Sequence, residues 1–228
     1  MNKKNIILLN GEWEVSGESP SGEELTLLGS VPGCALNDIL NSGIEKEYND
    51  IFYRDNSEQF QKYEDYSWHY KKSFVLEETD GNVELVFERL DTYCDIYLNG
   101  NHISYCDNGN IEHIFEVSKE LCVGENILEV YFYSPIQMNR GRRKRRFCAF
   151  SENRLYTRRM QCTYGWDWTM RFVTCGIGNA YLRILDKGIK TESVYVSLVK
   201  EALEICRKNG IIVEKGDIYY EHQFKRAV

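Results

Sequence analysis

The sequence predicts an all-β fold, either a β-sandwich or a barrel. Short stretches of strand-like alternation recur about every ten residues, and turn signals such as Asn10-Gly11 and Asn99-Gly100 separate them. Aromatic residues make up 13% of the chain, with 16 Tyr and 10 Phe, which favours strands. The 228 residues suffice for one large β-domain or two small ones.

The N-terminal part begins with two predicted strands and a short helix. The strands cover Ile7–Leu9 and Glu12–Val15, on either side of a turn at Asn10-Gly11. The helix is predicted over Ala35–Ser42, and the chain enters it from Pro32-Gly33.

The middle of the chain carries the clearest alternation. In Asn82–Glu88, three apolar side chains face one way while Glu84 and Glu88 face the other, which predicts a half-buried strand. Asn99-Gly100 predicts a tight hairpin with positive φ angles, and Pro135 ends a strand. The other predicted strands are Tyr93–Leu98, His102–Tyr105, Glu112–Val117, Ile127–Tyr133 and Asn179–Leu185.

The chain changes character after Gly188. Val194–Asn209 has apolar residues at helical spacing and ends before Gly210, which predicts some helix in this tail. We therefore predict one domain over residues 1–187. Residues 188–228 are predicted to be a tail or the start of a following domain.

Charge and apolar pattern argue against several classes of function. The net charge of −7 is unsuited to a general nucleic-acid binder. No apolar stretch approaches the roughly 20 residues of a membrane span, and the apolar run Ile6–Leu9 is far shorter than the hydrophobic region of a signal peptide. We expect a soluble cytoplasmic protein with reduced thiols and without nucleic-acid or membrane partners. Pairing of some of the eight cysteines stays open.

A basic run occupies Arg140–Arg146, where six of the seven residues are Lys or Arg. Three interpretations remain open for it. The run could be a solvated loop between strands, a loop that docks against an acidic surface, or a nucleic-acid patch.

Residue patterns typical of metal sites or catalysis are missing from the sequence. The four histidines are not at metal-ligand spacing and no two cysteines form a C-x-x-C pair, so we expect neither a metal nor a cofactor. His69 lies in Trp68-His69-Tyr70, a predicted strand, and is interpreted as structural. Glycosidase chemistry needs two carboxylates facing each other across a sugar, and no such pair stands out.

Two of the four tryptophans flank Asp167, in the segment Tyr164–Trp168. This combination is typical of sugar binding, because aromatic rings cover the C–H side of a pyranose and a carboxylate accepts hydrogen bonds from its hydroxyls. The alternative is that both indoles are anchors of the core of a β-protein.

Several segments together resemble one enzyme family. With Gly165–Trp168, which is specific to the mannosidase branch, they make the chain similar to the N-terminal domain of β-mannosidases and related family 2 glycoside hydrolases. The other segments, in chain order, are Leu9–Trp13, Val31–Cys34, Trp68–Phe74, Leu90–Tyr93, Tyr97–Gly100, Gly124–Asn126 and Ser134-Pro135.

The resemblance implies a jelly-roll β-sandwich that is galactose-binding-domain-like. In the full enzymes, a (β/α)₈ barrel carries both catalytic glutamates, and such a barrel needs about 250 residues of its own. We therefore expect this chain to contain no catalytic residue and to be inactive alone. The implied ligand is a β-mannoside or a related oligosaccharide, and the implied partner is the catalytic (β/α)₈ barrel.

The resemblance also assigns roles to individual residues. In the family, the loop with the Gly-Trp-Asp-Trp motif reaches into the active site of the barrel. Trp166 and Asp167 are therefore expected to line the pocket for the terminal mannose. Trp168 is expected to pack beneath them, and Arg158 and Arg159 match the basic pair that precedes the motif.

This chain departs from the family pattern in several places. Thr169-Met170 follow the motif where Gly-Pro is usual, and the basic run is heavier than expected. The tail should begin an immunoglobulin-like sandwich but is predicted to contain helix.

Three hypotheses of function follow. The first is an accessory N-terminal domain of a β-mannosidase-like glycosidase that supplies a Trp/Asp loop to the sugar pocket. The alternatives are a stand-alone carbohydrate-binding module and an interaction protein that uses the basic run.

Overall fold

The computed structural model describes residues 6–48, 50–78, 81–142 and 152–185. The predicted tail helix at Val194–Asn209, the predicted domain boundary after residue 187 and residues 143–146 of the basic run lie outside the described residues. The domain prediction therefore stays a prediction.

The described residues are built mainly from short antiparallel strands. In chain order they are β1 (Ile6–Leu8), β2 (Gly11–Glu18), β3 (Glu24–Val31), β4 (Gly33–Cys34), β5 (Ser67–Leu76), β6 (Asn82–Phe87), β7 (Leu90–Asp91), β8 (Tyr93–Leu98), β9 (Asn101–Cys106), β10 (His113–Glu116), β11 (Gly124–Tyr133), β12 (Tyr164–Trp166), β13 (Thr169–Arg171), β14 (Gly176–Ile177) and β15 (Ala180–Leu185).

Two large sheets dominate the described part of the chain. The larger has six strands in the order β3-β2-β5-β11-β8-β9, and the smaller has four in the order β1-β15-β6-β10. Two small sheets, β4-β14-β7 and β12-β13, complete the fold.

One apolar core receives side chains from both large sheets. Trp13, Tyr70 and Phe132 come from the six-stranded sheet, and Phe87 and Leu182 come from the four-stranded sheet; each is at most 1% exposed. Successive side chains of a strand point to opposite faces, so each strand gives alternate residues to this core. Burial of one such side chain contributes about 1.5–3 kcal/mol. The predicted all-β sandwich is confirmed.

The strand β6 corrects one prediction, because both of its faces are buried. Glu84 is only 5% exposed, and its Oε2 accepts hydrogen bonds from Nε and Nη2 of Arg183 at 2.8 and 2.6 Å. Val86, on the same face, is fully buried. A carboxylate can be buried when a guanidinium pairs with it, so Glu84 does not mark a solvent face.

The segment Asn10-Gly11 corrects a second prediction. Strand β1 pairs with β15, whereas β2 pairs with β3 and β5, so the chain crosses between the two large sheets here instead of turning back. The Asn10 amide donates to Asn179 Oδ1 at 2.8 Å and accepts from the N–H of Ala180 at 2.9 Å. The Asn10-Gly11 pair thus lies where the chain passes from one large sheet to the other. The Asn10 side chain links this crossover to the start of β15.

The predicted hairpin at Asn99-Gly100 is confirmed. Both residues have positive φ, at 52° and 79°, as the tightest hairpin turns require. The Asn99 amide also donates to the carbonyl of Glu120 at 2.8 Å.

Helix α1 (Ala35–Ser42) matches the predicted helix residue for residue. Gly43 ends it in the left-handed conformation. The buried Asp38 accepts hydrogen bonds from Ser30 N–H at 3.0 Å and from the Tyr70 hydroxyl at 2.9 Å, which joins α1 to the six-stranded sheet.

The other helices described are α2 (Asn56–Gln59), α3 (Pro135–Met138) and the 3₁₀ segments Lys46–Tyr48, Phe60–Asp65, Glu152–Leu155 and Gln161–Thr163. Among the helices described, none has the length and apolar character needed to cross a bilayer.

Candidate functional site

A short β-hairpin carries the two neighbouring tryptophans. Strand β12 pairs with β13, and Trp166 lies opposite Thr169. Asp167 and Trp168 are the two residues of the turn between these strands. The return strand therefore starts at Thr169, directly after the motif.

Gly165 gives this hairpin its backbone shape. Its φ is +89°, a conformation that a residue with a Cβ atom rarely adopts. A Cβ at this position would also lie 3.4 Å from Cβ of Arg171 on the opposite strand. That is an ordinary contact distance, so glycine is favoured here by backbone conformation and not by lack of space.

The tryptophans at the tip are exposed to different degrees. Trp168 is 74% exposed and Trp166 is half-buried, and their ring centroids lie 5.3 Å apart with planes inclined by 54°. The expectation that Trp168 packs beneath Trp166 is wrong, because residue 168 belongs to the turn and projects beyond the strand pair. Neither indole belongs to the apolar core, which contains Trp13 and Trp68 instead.

Asp167 is exposed at the same tip. Within the described ranges, no hydrogen bond or ion pair to its carboxylate is found. All of its acceptor capacity therefore remains for a ligand. The tip presents two aromatic rings and one unengaged carboxylate, which together can bind a sugar but cannot cleave it.

Arg154 orients the half-buried indole. Its guanidinium carbon lies 5.2 Å from the ring centroid of Trp166, within the range of a cation–π contact. One face of Trp166 is therefore covered by this chain's own cation.

Tyr164 anchors the base of the hairpin. It is 2% exposed, and its hydroxyl donates to Thr157 Oγ1 at 2.9 Å. Asn139 Nδ2 donates to the same Thr157 oxygen at 2.9 Å. Burial raises the pKa of Tyr164 to about 12, so the hydroxyl keeps its proton at neutral pH.

A buried ion pair fixes the return strand. The Glu64 carboxylate, in the 3₁₀ segment Phe60–Asp65, receives Arg171 Nε at 2.8 and 2.9 Å and Nη2 at 2.5 Å. The Val173 N–H donates to the same carboxylate at 3.2 Å. Burial raises the pKa of Glu64, and the Arg171 guanidinium acts in the opposite direction.

The two supporting arginines predicted from the sequence occupy different environments. Arg159 is 3% exposed, and its Nη2 lies 2.9 Å from Asp91 Oδ2 and donates to the carbonyl of Thr174 at 2.8 Å. Its guanidinium also lies 5.8 Å from the ring centroid of Tyr164. Arg158 is exposed and pairs with Asp107 at 2.6 Å. The structure therefore brings Arg159 beneath the hairpin and leaves Arg158 at the surface.

Sequence reasoning missed Glu64, Asp91, Arg154 and Arg171. Glu64 and Arg171 are 107 positions apart, and no spacing rule connects such a pair. Asp91 lay within a segment noted for its resemblance, but only the pairing of β7 with β14 shows why it reaches Arg159.

The described residues offer no cluster of three or more His, Cys, Asp or Glu side chains able to hold a metal ion. His69 lies on β5 and stacks on Tyr131 with ring centroids 4.0 Å apart. The six cysteines described are all free thiols: Cys34, Cys94, Cys106, Cys122, Cys162 and Cys175.

Comparison with known protein families identifies the family of this domain. A family model described as the glycosyl hydrolase 2 galactose-binding domain-like domain matches residues 13–179. This chain belongs to that family. The matched residues include both strands of the hairpin, β12 and β13.

Several curated relatives and one solved structure are β-mannosidases. A β-mannosidase of Bos taurus is 31% identical over 186 residues, and one of Capra hircus is 32% identical over 187 residues. Each match covers 75% of this chain and 20% of the relative. The crystal structure of a β-D-mannosidase from Dictyoglomus thermophilum matches with a TM-score of 0.75 and 30% identity, over 86% of this chain and 24% of that one.

The chain thus spans about a fifth to a quarter of these relatives. It corresponds to the N-terminal domain of β-mannosidase-like family 2 enzymes. No (β/α)₈ barrel occurs among its described residues.

Proposed function

We propose that this chain supplies a sugar-binding hairpin to the active site of a β-mannosidase-like glycosidase. Trp166 packs against the C–H face of the terminal β-mannoside, and Asp167 accepts hydrogen bonds from its hydroxyls. The two catalytic carboxylates come from a (β/α)₈ barrel that this chain does not supply. The chain alone is then a binding element without hydrolytic activity.

The observation that carries this proposal is the unengaged carboxylate between two indoles at the tip of an anchored hairpin. The base of the hairpin is fixed by Tyr164, by Arg159 and by the Glu64–Arg171 ion pair. By contrast, the tip residues Asp167 and Trp168 are exposed. A rigid base with an unpaired polar tip is what a preorganised binding element requires.

The hairpin binds and orients, and it does not break the glycosidic bond. Retaining and inverting glycosidases both need a second carboxylate facing the first at a fixed distance. Fixing the terminal sugar nevertheless accelerates hydrolysis, because it aligns the scissile bond with the carboxylates of the barrel.

The test combines this chain with a β-mannosidase whose own first domain has been deleted, such as the Dictyoglomus thermophilum relative. Hydrolysis of an aryl β-mannoside is measured for each polypeptide alone and for the mixture. We expect activity from the mixture and none from this chain alone. Asp167→Asn should lower kcat/KM of the mixture by about 100-fold, which corresponds to about 2.7 kcal/mol.

The matched control is Arg158→Gln, an exposed change beside the hairpin that leaves the tip intact. It should restore activity as well as the wild-type chain does. Equal restoration by Asp167→Asn would contradict the proposed role of the tip. If the chain alone hydrolysed an aryl β-mannoside at enzyme-like rates, the proposal that its catalytic carboxylates come from a separate barrel would be wrong.

Sugar affinity separates this proposal from a stand-alone carbohydrate-binding module. Half a pocket should bind mannose with a Kd in the millimolar range or weaker, which is about 4 kcal/mol or less. Micromolar binding that Asp167→Asn abolishes would favour the module, and calorimetry measures this directly.

A further inference from the structure

A shallow cleft lies on the outer face of the six-stranded sheet, on the side opposite the apolar core. Its floor includes Ser16, Thr26 and Ser67, from the neighbouring strands β2, β3 and β5. Because these side chains are small, they leave a hollow of about 350 Å³ above the strands. That volume falls within the usual range of small-ligand sites. The cleft shares no residue with the hairpin.

Aromatic side chains form one wall of this cleft. Tyr131 and Tyr133, on β11, are 36% and 37% exposed. His69, directly opposite Tyr131 in the strand pairing, stacks on it with ring planes only 4° apart. On the other side of the wall lies a second hollow of about 410 Å³, lined by Tyr97 and Glu129 together with the same two tyrosines. The wall therefore separates two adjoining hollows.

Carboxylates hold this wall in place. The Tyr133 hydroxyl donates to Asp95 Oδ2 at 2.6 Å. Glu129 Oε1 lies 3.2 Å from the Tyr131 hydroxyl and 3.1 Å from His69 Nε2. The part of the chain that the structure describes gives Glu129 Oε2 no hydrogen-bond partner. The rings are thus oriented in advance, and an acceptor remains beside them.

The charge around the cleft narrows the choice of ligand. Glu18 and Glu24 lie in its lining and are exposed, and Glu129 and Asp95 lie along the wall. Lys71 lies opposite Glu129 in the strand pairing, but the carboxylates outnumber this ammonium, so the rim disfavours polyanions. An apolar peptide segment would leave the floor hydroxyls and the free carboxylate oxygen unpaired, at a cost for each buried polar group. A neutral sugar offers C–H faces for the rings and hydroxyls for the floor and the carboxylate.

We infer that this cleft binds one unit of a neutral oligosaccharide, with the next units crossing the Tyr131–Tyr133 wall into the second hollow. It is a carbohydrate site separate from the hairpin, and it does not depend on the proposed function. A glycan bound there would run along the outer sheet face, whereas the hairpin is proposed to bind a terminal sugar.

The test titrates the 228-residue chain separately with β-1,4-linked mannohexaose and with cellohexaose. Calorimetry and NMR measure the binding. We expect binding to at least one of them with a Kd of about 1 mM or tighter. Tyr131→Ala removes the wall, and Thr26→Gln fills the floor while leaving every ring in place. Each change should weaken binding about tenfold or more.

A control variant defines what a loss of affinity means. Tyr53→Ala removes another exposed tyrosine, 54% exposed and outside the cleft, and should bind as the wild type does. Circular dichroism of each variant establishes that the fold is retained.

Three results would overturn the inference. The first is no detectable binding of either hexasaccharide at about 10 mM. The second is binding that Asp167→Asn abolishes while Tyr131→Ala and Thr26→Gln leave it unchanged, which would assign the sugar to the hairpin. The third is self-association of the chain that Tyr131→Ala abolishes in the absence of any sugar binding, which would make this face a protein interface.

Discussion

Replacing Arg171 by Met tests whether the Glu64–Arg171 ion pair holds the hairpin. The substitution keeps most of the aliphatic stem of the side chain and removes the three short contacts from Nε and Nη2 to the carboxylate. The Glu64 side chain is 5% exposed and would keep a single donor, the N–H of Val173. The substitution therefore leaves a nearly buried carboxylate almost unpaired.

The expected loss of stability follows from the burial of the two partners. Breaking a buried ion pair by removing one partner costs about 3–5 kcal/mol. The Arg171 side chain is 32% exposed, so water screens part of this interaction and the lower end of that range applies. We expect a loss of about 3 kcal/mol in the free energy of unfolding.

Urea unfolding followed by far-UV circular dichroism measures this loss. The matched control is Arg158→Met, which removes an ion pair of similar length whose side chains are 63% and 42% exposed. An exposed pair of that kind contributes about 1 kcal/mol or less. The double variant Glu64→Gln/Arg171→Met should lie within about 1 kcal/mol of the wild type, because it leaves no unpaired charge.

The comparison between single and double variants decides the question. A loss below about 1 kcal/mol in Arg171→Met would refute the reasoning. So would a double variant at least as unstable as the single one, since the cost would then come from lost packing and not from an unpaired carboxylate.

Three further predictions concern single side chains. Gly165→Ala should cost about 1–2 kcal/mol because of its φ of +89°, and urea unfolding with a loss below about 0.5 kcal/mol would contradict this. Tyr164→Phe should cost about 1 kcal/mol in the same assay, because only the hydrogen bond to Thr157 is lost; no change would mean that the bond contributes nothing. The imidazole of His69 should titrate below its usual pKa of 6.5, because burial outweighs the nearby Glu129 carboxylate, so the neutral ring persists to lower pH; an NMR midpoint above 6.5 would contradict this balance.

Local patterns predicted much of the fold because they depend on neighbouring residues. The helix Ala35–Ser42 and the strand Tyr93–Leu98 have the predicted bounds, and the Asn99-Gly100 turn has the required positive φ angles. Strand β3 was missed because its alternation is blurred: Leu28 is 62% exposed while Gly29 faces inward. A small residue that faces inward and a large apolar residue that faces outward hide the alternation of apolar and polar residues by which a strand is predicted.

The candidate site was predictable only in part, because long-range pairing decides the rest. The aromatic and acidic motif indicates where a sugar could bind, yet its exposure depends on the hairpin register that places residue 168 in the turn. Arg159 and Asp91 meet only after β7 pairs with β14, and the buried Glu84 meets Arg183 through the pairing of distant strands. Sequence spacing carries no information on these encounters.

The pairing of β1 with β15 has a consequence for biosynthesis. Ile6 of β1 lies opposite Arg183 of β15, so β1 can pair only after β15 has left the ribosome. At about 5–20 residues per second, this delay lasts on the order of ten seconds or more. Until β15 has emerged, the apolar side of β6 is incompletely covered. We therefore expect a nascent chain stalled before Ala180 to expose apolar surface that residues 180–185 cover once β15 takes its place between β1 and β6.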